Sequence, residues 1–312
     1  MQKTDTGYKY TIDECDVSDT ASLKKFREKR AEWVKWFGVD DPNSIANQIY
    51  SMMWGDAAYR SLVEAYRFSS KENSTTHENE MLAGLLYDGF LANQMLAIGK
   101  LIDKASDVIS LRRLFDEIKE NRRLFTRENF VSHDGLPYDY AKDEQEHWES
   151  FRAEYEPGKI VSGPMPPYAI SQSMHIQFDK ITSIAPNNRC RKDLIDEDIF
   201  KEIERCFGDS AFGKIKIYRN KFIGHAASQK SRRKVQYPHH DDLSRAHKII
   251  LQITRKIADI LGTGIGNPVP IAQYDVFENL DKPLIPSAKM KEMREWWHQH
   301  CLERERWHRG SA

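Results

Sequence analysis

Along most of the chain, apolar residues recur every three or four positions, and the few alternating stretches are too short and isolated to build a sheet. A chain patterned this way buries its apolar surface by packing helix on helix. Over residues 43–68 the repeat runs through Ile45, Ile49, Met52 and Met53, then Tyr59, Leu62, Val63 and Tyr66. Over 78–102 it runs through Met81, Leu85, Leu86, Phe90, Met95, Ile98 and Leu101. These two segments predict an antiparallel hairpin across a polar link at 69–76. A third helix is expected over 108–125, with Leu111, Leu114, Phe115 and Ile118 on one side and Arg112, Arg113, Arg122 and Arg123 on the other. Helices are further expected at 197–207, 210–226 and 241–261, the last begun by Asp241 or Asp242 and ended by Gly262. The expected fold class is all-α.

Interruptions of the repeat divide the chain. Residues 1–42 are a charged leading segment with a short helix that ends on Trp33, Val34, Trp36 and Phe37. Residues 43–262 carry the helical repeat, broken at about 131–191 by His133-Asp134-Gly135-Leu136-Pro137, Pro157-Gly158 and the turns of 163–167. That stretch reads as an irregular insertion. Residues 263–312 form a Pro- and Gly-rich connection and a last helix at 288–307. It carries Met290, Met293, Trp297 and Cys301 at core-type spacing and is expected to pack on the bundle, with Trp296, Trp297 and Trp307 docking it there or on a dimer partner. No repeat of fixed period occurs, which argues against a solenoid. No apolar run approaches the roughly 18–20 residues of a membrane span, so no membrane association is expected. The polar first ten residues lack the pattern of a secretory signal. Cys15, Cys190, Cys206 and Cys301 include no Cys-x-x-Cys pair. The expectation is a cytoplasmic protein with reduced thiols.

The forty-seven Lys plus Arg residues balance forty-seven Asp plus Glu, so no global charge draws a polyanion. Locally the balance fails. From 211 to 234 stand Lys214, Lys216, Arg219, Lys221, Lys230, Arg232, Arg233 and Lys234, with no acidic residue. Such a run neutralises phosphates and releases counterions. Within it, Ala211, Ile215, Tyr218, Phe222 and His225 continue a three-four stripe that is expected to be buried. On an ideal helix Arg219 and His225 lie roughly 120° apart, off a common face; a second helix packed alongside, or a loosened last turn at Gly224, would let them border one groove. An unperturbed histidine exchanges protons near neutrality, and an arginine presents a permanent planar fork to phosphate oxygens. Those two groups suffice in principle to cleave RNA through its own 2′-hydroxyl. Tyr237-Pro238-His239-His240-Asp241-Asp242 reads better as a loop entering a helix cap than as a metal cluster, and His298, His300, Cys301 and His308 make a poor zinc set. Neither a metal nor a cofactor is expected.

Arg219-Asn220-Lys221-Phe222-Ile223-Gly224-His225 fits the Arg, four to six residues, His signature of the HEPN superfamily. Lys100-Leu101-Ile102-Asp103, Ile109-Ser110-Leu111-Arg112-Arg113-Leu114 and Thr126-Arg127-Glu128-Asn129-Phe130, upstream of Tyr218-Arg219-Asn220-Lys221, resemble the branch associated with the abortive-infection U system. The resemblance covers roughly residues 45–261. It implies an antiparallel four- or five-helix bundle that dimerises to form a composite cleft. It also implies metal-independent RNA cleavage to a 2′,3′-cyclic phosphate and a 5′-hydroxyl, in anti-phage abortive infection or toxin–antitoxin defence. By this resemblance His225 is the acid/base, Arg219 stabilises the phosphorane, Asn220 orients phosphate or histidine, and Asp103 is a polar neighbour of the site. RNA is the expected partner, through Lys214, Lys216, Lys221, Lys230, Arg232 and Arg233, with an antitoxin or regulatory protein also allowed for. Gly224 departs from the alanine common before the histidine. The alternative is a non-catalytic HEPN-type module that binds a nucleotide or a protein.

Overall fold

Side chains that accept hydrogen bonds from the first free backbone N–H groups set most of the helix starts. Asp19 accepts from the N–H of Ser22, Asn79 from Leu82, Ser110 from Arg113, Thr126 from Asn129 and Asp209 from Ala211. The computed structural model describes residues 7–73, 79–154, 164–268, 270–271 and 275–309. Its helices are α1 (Thr20–Phe37), α2 (Ile45–Asn73), α3 (Glu80–Leu101), α4 (Leu111–Glu120), α5 (Arg127–Ser132) and α6 (Tyr140–Glu154). They continue as α7 (Pro167–Asp179), α8 (Glu197–Phe207), α9 (Ser210–Tyr218), α10 (Gln229–Arg232), α11 (His240–Leu261) and α12 (Met290–Arg309). Among the described residues the only β pairing is an isolated bridge between Thr126 and Leu194. The protein is all-α. It divides into two compact units, 1–270 and 271–312.

The first unit is built around the C-terminal half of α3, where Phe90, Leu91, Met95, Ile98 and Leu101 are buried. Around it lie α2 with Ile45, Ile49 and Met52, α9 with Phe212 and Ile215, and α11 with Leu243, Ile250, Ile253 and Ile257. Burying each such side chain contributes about 1.5–3 kcal/mol, and together they fix α3 against α9, the helix that leads into the candidate site. Helix α11 ends as expected at Gly262, whose φ of 63° is the left-handed cap that glycine adopts without strain. Arg30 donates to the Leu261 carbonyl through Nε and Nη2. By length and composition α3 could cross a membrane, contrary to the sequence expectation that no segment would. In the fold its C-terminal half is core.

The leading segment contributes to the core: Leu23, Phe26, Trp33 and Phe37 of α1 are fully buried, and Trp33 stacks on Phe125 with centroids 5.6 Å apart. A further expectation is corrected: 131–191 is not irregular throughout, because α6 and α7 occupy much of it. The Pro157-Gly158 turn expected there lies outside the described residues, as do residues 74–76 of the expected 69–76 link, while 69–73 continue α2 instead of leaving it. The four cysteines are free; Cys15 is buried, and Cys190 and Cys301 are exposed. In the second unit no residue of α12 is buried, and Met290, Met293, Trp297 and Cys301 stand exposed instead of forming a core stripe. A helix this rich in Glu, Arg, Lys and His offers too few adjacent apolar side chains to enclose one another.

Candidate functional site

Helix α9 is held by its ends. Asp209 caps it and takes a bidentate ion pair from Arg245 of α11, while Lys214 pairs with Asp242 at 2.9 Å. Asp242 also closes a capping box at His239, so the 237–242 stretch enters a helix as expected. Burial pushes the Asp242 carboxyl up, but Lys214 and the His239 N–H outweigh it and hold it below the usual carboxylate value. Lys214 therefore spends its charge inside the fold.

After Tyr218 the helix widens. Arg219–Ile223 form a π turn, closed by the Gly224 N–H donating to the Arg219 carbonyl at 2.7 Å. Single π turns within helices are frequent at functional sites. The loosening foreseen at Gly224 begins five residues earlier, and it ends the buried stripe: Ala211 and Ile215 are buried, Tyr218 is half-buried, and Phe222 and His225 are exposed. The expectation that His225 continues the buried face is thus overturned.

Arg219 is half-buried, and its Nε and Nη2 both donate to the Asn220 side-chain oxygen, at 3.0 and 2.9 Å. Its Nη1 edge lies over Gly99 of α3, so close that a Cβ there would be 1.9 Å away. Among the described residues no carboxylate pairs with Arg219. Its charge is fixed in place yet not neutralised. The structure thus brings Arg219 and Asn220 together, while His225 follows the turn with its ring unbonded among the described residues.

The Asp103 carboxylate accepts the Ala105 N–H at 3.0 Å and holds the turn after α3. Of the other cations, Lys221 donates to Ser231 at 2.6 Å, the Arg232 guanidinium lies 5.4 Å from the Phe222 ring centre, and Lys216, Lys230 and Arg233 are exposed.

An aromatic group that sequence reasoning missed supports the turn. Tyr218 and Phe222 stack at 4.5 Å, Tyr237 meets Tyr218 edge-on at 5.0 Å, and the Tyr237 hydroxyl donates to that of Tyr87. Burial, reinforced by the Tyr87 contact, pushes the Tyr237 phenol well above its ordinary value. Burial likewise raises that of Tyr218. Both remain protonated near neutrality and cannot serve as bases. Gly99 was missed as well, although a glycine inside an otherwise apolar helical stretch signals close approach by another group. Among the described residues no three His, Cys, Asp or Glu side chains form a group that could hold a metal. Comparison with protein-family models, curated proteins and solved structures finds no match.

Proposed function

We propose that the protein is a metal-independent endoribonuclease of the HEPN type, acting on RNA through Arg219, Asn220 and His225 in anti-phage or toxin–antitoxin defence. The observation that carries this reading is Arg219: a guanidinium anchored by an amide oxygen instead of a carboxylate, inside a segment free of acidic residues. An arginine held this way keeps its attraction for a phosphate, because among the described residues no carboxylate pairs with it. The 2′-oxygen attacks the adjacent phosphorus as the bond to the 5′-oxygen breaks, giving a 2′,3′-cyclic phosphate and a 5′-hydroxyl. His225, open to solvent and beside the turn, exchanges the protons that leave the 2′-hydroxyl and reach the 5′-oxygen. Arg219 stabilises the charge that builds on the phosphorane oxygens. Two copies of the chain would bring two such sets into one cleft. The exposed Phe68, Met81 and Leu85 of α2 and α3 supply apolar surface for pairing.

Purified protein incubated with tRNA and mRNA in EDTA should cleave them, and Arg219→Ala and His225→Ala should each reduce the rate by about 100-fold. Equal cleavage by all three proteins would refute the reading. The unbonded His225 ring favours one alternative, a module that binds a nucleotide or a protein without turnover; tight calorimetric binding with no product would select it.

A further inference from the structure

We infer that Gly99 is a positioning residue for Arg219: the missing side chain on α3 is the seat in which the guanidinium lies. Gly99 is buried in the half of α3 that forms the core, where a helix interior ordinarily favours a residue with a Cβ. An ideal Cβ at this position would lie 1.9 Å from Nη1, 2.8 Å from Cζ and 3.0 Å from Cδ of Arg219. Heavy atoms do not approach so closely, so even one methyl group evicts the guanidinium. The other glycines on this helix differ: Gly84 and Gly89 have open space where a Cβ would stand.

The seat also explains how a charge this free is held still. Asn220 grips the Nε and Nη2 edge, Gly99 receives the Nη1 side, and the π turn that starts at Arg219 carries its backbone past α3. One consequence is a separation of stability from function. What a Cβ at Gly99 would meet is the far end of a flexible side chain, not backbone, so the helix keeps its packing while the guanidinium leaves its place. The consequence for cleavage rests on the ribonuclease reading; the seating of Arg219 does not.

The test uses the full-length chain with Gly99→Ala, Arg219→Ala, Arg219→Lys and the double variant Gly99→Ala/Arg219→Ala. Two readouts are followed: cleavage of RNA in EDTA, and the NMR resonance of the Arg219 Nε–Hε group, assigned by its loss in Arg219→Lys. Gly99→Ala is expected to shift that resonance and to cut cleavage about 100-fold, with no further loss in the double variant because both changes remove one interaction. Its thermal midpoint should equal or exceed that of wild type. If the clash instead lowers the midpoint, Arg219→Ala should restore it, which also supports the seat. A midpoint loss that Arg219→Ala does not relieve, or an unchanged resonance in Gly99→Ala, overturns the proposal. If wild type cleaves no RNA, the ribonuclease reading fails while the resonance still decides the role of Gly99.

Discussion

Arg127 and Arg219 show how a partner decides what a guanidinium does. Arg127 is fully buried and meets Asp179 and Asp193 at 2.8 Å each, so its charge is consumed in holding the fold. Arg219 meets an amide oxygen and a bare α-carbon, which keep its place without cancelling its charge. A comparable decision is made at His133. Its ring packs edge-on against Tyr8 and Phe26, and Nδ1 lies 2.9 Å from the Phe130 carbonyl. Burial, aided by the nearby Arg30 charge, lowers its pKa to about 3. In the unfolded chain it titrates near 6.5. The folded form therefore stays neutral while the unfolded form binds a proton, so stability is whole above about pH 6.5 and drains as pH falls toward 3. Urea unfolding between pH 7 and 4.5 should show this decline. His133→Asn, which keeps a donor for the Phe130 carbonyl, should flatten it by up to about 1.4 kcal/mol per pH unit. The same slope in both proteins would show that His133 is not the titrating group.

At the scale of elements, Arg127 is the pin that joins α5 to α7. Its Nε and Nη1 reach Asp193 and Asp179, its guanidinium covers Phe178, and its own N–H donates to the Asp193 carbonyl. Arg127→Leu leaves two carboxylates in a nearly dry site and should cost about 3–5 kcal/mol in urea unfolding. Arg127→Leu with Asp193→Leu should recover part of that, because one stranded charge goes with it. If the double variant is no more stable than the single, the pair is not what joins these helices. This junction was hard to read in the sequence for a physical reason. The buried face of α7 is Ser171, His175 and Phe178, and the first two serve the carbonyls of Pro137 and Tyr138, so no apolar stripe announces the helix. Helix α1 is expected from the sequence, but its burial is not legible there for a related reason, its buried Leu23, Phe26 and Trp33 being separated by charged residues. Where the buried face is apolar the reading succeeded: 197–207 is α8 as foreseen, and α11 begins one residue before its expected start. The site divides the same way. Arg219, Asn220 and His225 are visible as a local pattern. The seat at Gly99 needs a contact between positions 120 residues apart, and the exposure of His225 follows from a π turn that three-four spacing cannot represent.

For the whole molecule, a net charge of zero hides how the charges are used. Acidic residues pair locally across the first unit: Lys214 with Asp242, Arg245 with Asp209, Arg122 with Glu197 and Arg191 with Asp16. Apart from Lys214, the acid-free stretch escapes this pairing among the described residues. Arg219, Lys216, Lys230, Arg233 and Lys234 carry no ion pair among the described residues, and all but Arg219 are exposed. If the RNA reading holds, attraction comes from this stretch and not from the overall balance, and it is short-ranged because salt screens beyond about 8–10 Å. Engaging about four to six phosphates of a single strand gives a log–log salt slope near −3 to −4. Binding of a fluorescent single-stranded RNA to the His225→Ala protein, titrated at increasing salt, should show that slope. Lys216→Gln and Arg233→Gln should each make it shallower by about 0.7, one phosphate's worth. Lys214→Gln should leave the slope unchanged, because that charge is already spent on Asp242, and should lower thermal stability instead. A slope near zero, or an equal change from all three substitutions, would mean that the unpaired charges of this stretch do not form the RNA-binding surface.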